Sequence, residues 1–304
     1  MNILITGGEG FVGRNLINYF KDTKNKIISP TYQNLDLRDT ESVKDLFKKN
    51  SIDCIIHSAA VSPVNKSYSP STCEDNLKIF FNLIKFKKYK AKMINLGSGS
   101  EYSREHWVHK MDEKYFGNFI PQDSFSFSKY LISKYIIDSK RKDLYHLRIF
   151  GIFGKYEDYK YKFISNTIAK KIFDIPITIN RNVIYDYIFV EDFCRIVDFF
   201  IYNETENKVF NVTPTDSIDL ISIIKIIDNL IGKKSTIKIL KNGYGKEYTG
   251  ENKLLLKSIP FFKFSNINDA IKILFQFYIE IKNTLDVDSL IEDNFLIYAK
   301  KINP

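Results

Sequence analysis

Short apolar runs alternate with amphipathic segments along the first half of the chain. Residues 2–6 (Asn-Ile-Leu-Ile-Thr) form an apolar run typical of a buried strand, and Phe11, Leu16, Ile17 and Phe20 follow at helical spacing. A strand followed by an amphipathic helix is the first part of a β-α-β unit. The pattern therefore predicts a parallel sheet with a crossover helix.

The same alternation continues to about residue 150. It predicts further strands near 26–29, 52–57, 91–96 and 144–150, and helices near 40–49, 72–88 and 125–140. Repeated units of this kind predict an α/β protein with a Rossmann-like, doubly wound parallel sheet that carries helices on both faces. Ligands of such sheets bind at the carboxyl ends of the strands.

The rhythm becomes less regular beyond residue 150. Helices are predicted at 161–173, 191–202, 217–231 and from about 267, with a strand-like stretch at 183–190. No segment rich in Gly, Ser or Pro separates the two halves. The sequence therefore predicts a Rossmann domain over 1–175, to which part of 176–202 returns, and a smaller mixed C-terminal substrate domain over 203–304 that is interleaved with it.

Composition excludes several classes of protein. No stretch reaches the ~18 uninterrupted apolar residues of a membrane span, and no cleavable signal precedes the first strand, which predicts a cytoplasmic protein without a membrane partner. The three cysteines have no C-x-x-C spacing and the four histidines have no ligand spacing, so the sequence predicts no disulfide framework and no metal site.

The net charge of +9 makes nucleic acid a candidate partner. The lysines, however, are dispersed along the whole chain and do not form one basic block. The sequence therefore predicts no nucleic-acid partner, and the charge favours a mild attraction for small phosphorylated molecules.

Glycines at the spacing G-x-x-G-x-x-G follow the first predicted strand and open the first helix. Glycine permits a tight turn and a close approach of the backbone to a pyrophosphate, which then lies on the amides at the helix N-terminus. The turn predicts a dinucleotide site. Its candidate cofactor-binding residues are Gly7, Gly10, Phe11, Val12, Gly13 and Arg14.

The end of the second predicted strand bears on which dinucleotide binds. The acid that contacts the adenosine ribose is expected about 20 residues after the glycines, but residues 29–32 read Ser-Pro-Thr-Tyr. Asp36, followed by Leu37, is the next acid, and Arg14 or Arg38 supplies positive charge nearby. This favours NADP, with NAD as the alternative. Further along, the small residues Ala59 and Ala60 follow a strand and either line the cofactor or simply pack.

Several short motifs in their order along the chain resemble the extended short-chain dehydrogenase/reductase family, in particular its nucleotide-sugar epimerases, dehydratases and 4-keto reductases. They are Thr-Gly-Gly-x-Gly-Phe-x-Gly at 6–13, Leu-Asp-Leu-Arg-Asp at 35–39, His-Ser-Ala-Ala at 57–60, Gly-Ser-Gly-Ser-Glu-Tyr at 97–102, Ser-Lys-Tyr at 128–130, Leu-Arg-Ile-Phe-Gly-Ile-Phe-Gly at 147–154 and Tyr-Asp-Tyr-Ile-Phe-Val-Glu-Asp at 185–192. Together they extend over about two thirds of the chain.

The resemblance implies roles for individual residues. Ser98 matches the residue that hydrogen-bonds the substrate oxygen undergoing oxidation or reduction, and Lys129 matches the lysine that holds the nicotinamide ribose and lowers the pKa of a tyrosine four residues earlier. Ser100 and Tyr102 are implied as further substrate contacts. Arg181 is the arginine nearest to the position from which the family binds the substrate diphosphate, a position that Tyr185 occupies here.

Phenylalanine stands where the family has its catalytic tyrosine. Phe125 precedes Lys129 by four residues and has no proton to give. A second frame, Tyr130 to Lys134, has the same spacing. The pair Ser128-Lys129 favours the frame of Phe125 and Lys129, and so does the distance from Lys129 to Arg148, which leaves room for a full helix before the next strand.

Three interpretations of Phe125 remain open. It is a deliberate Tyr→Phe substitution, or the chain is a natural enzyme in which Tyr102, Tyr130 or a water gives the proton, or it is a weakened or non-catalytic homologue. The expected function is NAD(P)-dependent reduction of a 4-keto sugar nucleotide, with an NAD-dependent epimerase as the alternative. The resemblance also implies a homodimer that pairs through the helices near 72–88 and 125–140.

Overall fold

The computed structural model describes residues 1–61 and 69–302. The strands are β1 (Asn2–Thr6), β2 (Lys26–Ile28), β3 (Cys54–His57), β4 (Lys92–Ser98), β5 (Leu144–Ile149), β6 (Gly151–Phe153), β7 (Ile177–Ile179), β8 (Ile184–Tyr185), β9 (Tyr187–Phe189), β10 (Val209–Val212), β11 (Ile218–Asp219) and β12 (Ile237–Ile239). The α-helices are α1 (Phe11–Phe20), α2 (Thr40–Lys49), α3 (Thr72–Phe86), α4 (Ser124–Ser139), α5 (Phe163–Ile172), α6 (Val190–Tyr202), α7 (Leu220–Ile231), α8 (Lys253–Ser258), α9 (Ile267–Glu280), α10 (Val287–Ile291) and α11 (Asn294–Ile302).

The chain divides into two units, each made of three segments. The first unit comprises residues 1–150, 193–212 and 250–262. Its described residues form a six-stranded sheet in the order β10-β5-β4-β3-β1-β2, with every neighbouring pair parallel. The strand order reverses beside β1, which has β2 on one side and β3 on the other. This is a doubly wound, Rossmann-like sheet, and it confirms the predicted fold class.

The central strands are apolar because helices cover them. Residues 3–5 of β1 and 54–56 of β3 are fully buried, as expected of parallel strands without a solvent-facing side. On one face the sheet packs against α3 and α4 through a core that includes Phe80, Leu83 and Ile132. Helices α3 and α4 therefore hold the central strands in place on this face.

The second unit comprises residues 151–192, 213–249 and 263–304. Its described strands pair two by two, β6 with β9 and β7 with β12 in parallel and β8 with β11 antiparallel. Helix α5 packs against α7 and α9, and residues 163–171 of α5 are buried. This is a small mixed α/β unit.

The observed division differs from the predicted boundaries at 175 and 203. Residues 151–175 lie in the second unit because β6 pairs with β9 and α5 packs against α7 and α9. Residues 203–212 lie in the first unit because β10 extends the large sheet beside β5. None of the helices in the described residues combines the length and the apolar character that a membrane-spanning helix requires.

Candidate active site

The glycine turn after β1 is too tight for side chains. Gly7 has a φ of +68°, and a Cβ on it would lie 2.8 Å from the Cα of Ala59. A Cβ on Gly13 would lie 2.1 Å from the carbonyl oxygen of Gly7. The backbone nitrogen of Gly10 donates to that same oxygen over 3.0 Å, which closes the turn. Glycine is therefore required here by backbone packing in the protein itself.

Helix α1 begins directly at this turn and presents its first amides without a cap. Gly10 is the N-cap residue, no described side chain caps the helix, and its first turn, which holds Phe11, Val12 and Gly13, contains no acid. The first amides of a helix have no intrahelical partner and carry partial positive charge. Arg14 is exposed in the same turn. An uncapped N-terminus behind a glycine turn fits the pyrophosphate of a dinucleotide.

The loop after β3 lies against the glycine turn. The hydroxyl of Thr6 accepts a hydrogen bond of 3.2 Å from the backbone nitrogen of Ala59, and it also bonds Nδ1 of His57 at 2.8 Å. Ala59 and Ala60 are half-buried. Burial, together with the charge of Lys129, lowers the pKa of His57 to about 3, so this histidine is a neutral core residue.

Asp36 is already paired. Its carboxylate accepts bonds of 3.0 Å from Nε and 2.8 Å from Nη2 of Arg38, and this hydrogen bonding lowers the pKa of Asp36. The same guanidinium donates to the hydroxyl of Tyr32 and reaches Asp75 at 3.4 Å. Leu37 packs against the core, and its carbonyl accepts from Asn82. The region after β2 therefore presents a neutralised acid.

Ser98, at the end of β4, caps a short 3-10 turn over Gly99–Tyr102. Its hydroxyl oxygen accepts from the backbone nitrogen of Ser100 at 3.1 Å and from the hydroxyl of Ser100 at 3.0 Å. Its backbone nitrogen donates to Glu101 Oε1 at 2.8 Å, which completes a capping box. The hydroxyl proton of Ser98 has no acceptor among the described residues, so it is free to bind a substrate oxygen. Ser100 fixes the orientation of that hydroxyl.

Beneath Ser98 lies a fully buried ionic network. Glu101 accepts bonds of 2.9 Å from His146 Nε2 and 2.8 Å from Arg148 Nε. All three residues are at most 1% exposed. Burial raises the pKa of Glu101, but His146 and Arg148 outweigh burial, and the pKa falls to about 2. The carboxylate of Glu101 therefore stays ionised, paired with Arg148, and it fixes the turn of Ser98.

Tyr102 belongs to this network and not to the substrate site. Its side chain is 1% exposed, its hydroxyl donates to Asn211 Oδ1 at 2.6 Å, and it accepts from Arg148 Nη1 at 3.0 Å. Burial raises the pKa of Tyr102 above its usual range. The implied role of Tyr102 as a substrate contact, and its role as an alternative proton donor, are thus wrong, because burial and two hydrogen bonds occupy its hydroxyl.

Helix α4 places the candidate lysine against β4. Asp123 caps the helix by accepting from the backbone nitrogen of Ser126 at 2.8 Å. One turn further on, Lys129 Nζ donates to the carbonyl oxygen of Leu96 at 2.9 Å and lies 5.8 Å from the centre of the Phe125 ring. Burial lowers the pKa of Lys129 to about 8, although Glu101 opposes this effect.

The structure supports the 125/129 frame over its alternative. Lys129 is 6% exposed, whereas the side chain of Lys134 is 53% exposed and pairs with Asp138. Tyr130 is buried and stacks on Phe116 with ring centres 4.8 Å apart. Only the first frame therefore brings its lysine to the end of β4.

Arg181 lies in the second unit, without a partner among the described residues. No hydrogen bond or ion pair joins it to any of them, and its Nε is buried without an acceptor. Nearby in the chain, Tyr185 packs against Tyr187, with ring centres 5.2 Å apart. A guanidinium N–H that is buried without an acceptor is costly in a folded protein, and the usual partner of such a group is an anion. The arrangement fits a phosphate-binding role.

The ionic network was not anticipated from the sequence, although two signals were available. The stretch from Ser98 to Glu101 has the S-x-x-E pattern of a capping box. His146 and Arg148 are two apart on a strand, so their side chains share one face. Neither pattern identifies its partner. In the part of the chain that the structure describes, no group of three His, Cys, Asp or Glu residues is arranged to hold a metal ion.

A doubly wound sheet with a glycine turn after β1, and with a serine at the end of β4 and a buried lysine of α4 beside it, is typical of dinucleotide-dependent oxidoreductases of the short-chain type. The family model described as the NAD dependent epimerase/dehydratase family matches residues 3–213. The chain belongs to this family, which confirms the resemblance found in the sequence.

Individual relatives agree with this assignment. The chain is 22% identical to an ADP-L-glycero-D-manno-heptose-6-epimerase of Brachyspira hyodysenteriae over 89% of this chain and 95% of that protein. A segment covering 33% of this chain is 34% identical to a GDP-L-fucose synthase of Azorhizobium caulinodans, of which it covers 34%. The fold matches a GDP-L-fucose synthetase of Naegleria fowleri bound to NADP with a TM-score of 0.80 at 17% identity, covering 93% of this chain and 94% of the other.

Proposed function

We propose that this chain is an NAD(P)-dependent oxidoreductase that reduces a 4-keto sugar carried on a nucleoside diphosphate. The observation that carries the proposal is the placement of Lys129. Its Nζ bonds the carbonyl oxygen of Leu96, two residues before Ser98 on β4. A buried cation and a serine hydroxyl thus lie at one sheet end, with the glycine turn of β1 two strands away.

Different residues of the first unit have different roles in the proposed reaction. The nicotinamide cofactor supplies a hydride when it is bound. The glycine turn and the first amides of α1 hold its pyrophosphate, while Ala59 and Ala60 permit close approach. Lys129 orients the ribose, and Ser98 donates its free hydroxyl proton as a hydrogen bond to the carbonyl oxygen of the sugar. This hydrogen bond stabilises the negative charge that develops on the oxygen.

NADP is the favoured cofactor. Rejection of a 2′-phosphate requires a free carboxylate at the ribose, and residues 29–32 contain none. Asp36, the next acid, is neutralised by Arg38, whose side chain is 34% exposed. Asp36 therefore repels a 2′-phosphate less than a free carboxylate would.

The reaction is tested by following the reduced cofactor. Native protein and the Phe125→Tyr variant are incubated with NADPH or NADH and with 4-keto-6-deoxyhexoses carried on GDP, UDP, CDP or dTDP. A reductase consumes one reduced cofactor for each product formed. Absence of both cofactor oxidation and sugar conversion in both proteins contradicts the proposal and leaves a dinucleotide-binding protein without catalysis.

An epimerase is the second candidate, favoured by the likeness to the heptose epimerase over most of both chains. An epimerase returns its hydride to the sugar and consumes no added cofactor. Conversion of the sugar without net oxidation of NADPH therefore selects this alternative.

Replacing Gly13 with alanine is expected to weaken cofactor binding by about tenfold or more, which corresponds to roughly 1.4 kcal/mol. The new Cβ would lie 2.1 Å from the backbone oxygen of Gly7, so the turn and the start of α1 must separate. Calorimetric titration with NADPH measures the effect, and the unfolding midpoint without cofactor separates it from general destabilisation. Unchanged affinity would show that the turn does not hold the pyrophosphate.

Arg181 is proposed to bind the substrate diphosphate, because it is a cation without a partner among the described residues. Arg181→Gln removes a charged hydrogen bond worth ~1.5–3 kcal/mol, so KM is expected to rise roughly 10- to 100-fold with kcat little changed. Lys238→Gln, an exposed change in the same unit, serves as the control and leaves KM unaltered. Equal KM values for both variants would exclude Arg181 from the site.

A second copy of the chain is the proposed partner. Helices α3 and α4 present a shared groove whose lining includes Cys73, Leu77, Phe81, Phe127 and Leu131. Phe81 is 41% exposed although it is a large apolar side chain. Exposed contiguous apolar surface of this kind marks an interaction site, and the resemblance implies pairing through these two helices.

Phe81→Asp is therefore expected to convert a dimer into a monomer, because a buried unpaired carboxylate at the interface is costly. Light scattering after size-exclusion chromatography gives the mass of each species. Phe261→Asp, at an aromatic residue that is 97% exposed and lies outside the groove, leaves the dimer intact. A native protein that is already monomeric at micromolar concentration contradicts the assignment.

A further inference from the structure

The native chain lacks a phenol at the position where a proton donor is expected, and its neighbours do not replace it. The hydroxyl of Tyr102 is buried and bound to Asn211 and Arg148. Tyr130 is buried against Phe116. The reaction proposed above nevertheless needs a proton on the sugar oxygen after hydride addition. The proton therefore comes from a water or from another acid beside Ser98.

Lys129 has unused hydrogen-bonding capacity at the right place. Its ammonium group has three N–H bonds, and within the described residues only the carbonyl oxygen of Leu96 accepts one of them. The residue is 6% exposed, so bulk water does not satisfy the others freely. Leu96 and Ser98 are two residues apart on β4, about 7 Å along the strand. Lys129 Nζ and Ser98 therefore lie at the same short stretch of β4, at the end where the substrate oxygen is proposed to bind.

We infer that Lys129 is the proton donor of the native chain, acting directly on the substrate oxygen in place of the missing phenol. The inference rests on the proposed function. In this step the hydride and its electron pair add to the carbonyl carbon, and the π electrons move to the oxygen. That oxygen takes a proton from Nζ, whose N–H electrons remain on nitrogen, and the neutral amine regains a proton from water.

The surroundings make Lys129 a stronger acid than an ordinary lysine. Glu101 faces it from the 3-10 turn, His57 from β3 and His146 from β5. Glu101 favours the charged amine but shares its own charge with His146 and Arg148. Burial prevails and lowers the pKa of Lys129 to about 8, closer to neutral pH, where a general acid is most effective. His57, with a pKa lowered to about 3, is neutral and gives no proton.

Phe125 contributes to this environment without taking part in the transfer. The centre of its ring is 5.8 Å from Lys129 Nζ, within the range of a cation–π contact. The ring stabilises the charged amine weakly and offers no acceptor for its protons. A tyrosine at this position would instead place a second acid beside the first.

The test compares Lys129→Arg in the native chain and in Phe125→Tyr. Arginine keeps the charge and the donors but gives up no proton near neutral pH. Single-turnover oxidation of NADPH is followed with the 4-keto-6-deoxyhexose nucleotide that the native protein accepts. The expected loss is roughly 100-fold or more in the native background and only a few-fold in the Phe125→Tyr background, where the introduced phenol supplies the proton. The two changes are therefore strongly non-additive.

Two further readouts separate proton donation from a binding role. The native rate is expected to be level at lower pH and to fall above about pH 8, because the charged amine is the acid form. In Lys129→Ala, added 2-fluoroethylamine is expected to restore more activity than the less acidic ethylamine, and tetramethylammonium none. Affinity for NADPH is measured for every variant.

An equal loss from Lys129→Arg in both backgrounds overturns the inference, since it shows a binding role alone. Turnover by Phe125→Tyr together with none by the native chain also overturns it, because Lys129 then fails as a donor while the proposed function holds. Absence of turnover in both proteins is the failure of the proposed function, and the inference falls with it.

Discussion

Replacing Phe125 with tyrosine is expected to raise the turnover of 4-keto sugar nucleotides by up to roughly 10²-fold, the low end of the contribution of a positioned general acid, because Lys129 is proposed to supply part of that contribution already. The change adds one hydroxyl to a ring whose centre already lies 5.8 Å from Lys129 Nζ. The positive charge of that lysine favours the ionised phenol and so lowers its pKa. Steady-state kcat is the measurement, and cofactor affinity is expected to change little.

Phe127→Tyr is the matched control for this prediction. It adds the same hydroxyl on the same helix, but two residues further on and therefore turned about 200° from Phe125. No gain in turnover is expected, and light scattering checks its assembly because Phe127 also lines the proposed dimer groove. A gain with Phe125→Tyr supports either a substituted or a weakened enzyme, whereas retained cofactor affinity with no turnover identifies a non-catalytic homologue.

Glu101→Gln is expected to destabilise the fold by about 3–5 kcal/mol, a large share of the stability of a typical domain. The substitution preserves shape but leaves Arg148 and His146 without the buried negative charge that they surround. Removal of one partner from a buried ionic group is far more costly than replacement of the whole group. Urea unfolding of the cofactor-free protein measures the difference. Glu41→Gln, an exposed change on α2, is the control and is expected to stay within ~0.5 kcal/mol.

The lowered pKa of Glu101 predicts that the free energy of unfolding decreases at acidic pH. The folded-state pKa of Glu101 lies at about 2, below its unfolded value of 4.5. Its contribution is therefore complete above pH 4.5 and is lost as the pH falls toward 2, by roughly 3 kcal/mol in all. Glu101→Gln lacks this part of the acid dependence. Parallel stability curves for the native and variant proteins between about pH 5 and pH 2 would contradict the assigned charge.

Local sequence patterns predicted most of the first unit. The sequence indicated β1 and α1 almost to the residue. A strand that is buried on both faces is a continuous apolar run, whereas a helix that is buried on one face has apolar residues at helical spacing. Several short strands, among them β7 and β12, escaped prediction. Strands β7 and β12 are three residues each and pair only with one another among the described residues, so neither has enough positions to establish a pattern.

The candidate site was predictable where chemistry depends on local spacing. The glycines of the turn, the uncapped start of α1 and the one-turn separation of Phe125 from Lys129 follow from chain geometry over a few residues. The burial and hydrogen bonding of Tyr102 do not follow from local chain geometry. Its hydroxyl is occupied by Asn211, which is 109 residues away along the chain.

The sequence by itself therefore determined the strand and helix alternation, the dinucleotide turn and the frame that pairs Phe125 with Lys129. The tertiary structure decided what no local pattern carries: the division into two units of three segments each, the burial of Glu101 beside His146 and Arg148 of β5, and the lack of a partner for Arg181 among the described residues. The physical reason is the separation along the chain of the residues that interact. Periodicity and turn chemistry act between near neighbours, whereas burial and ion pairing are set by segments that meet only when the chain is folded.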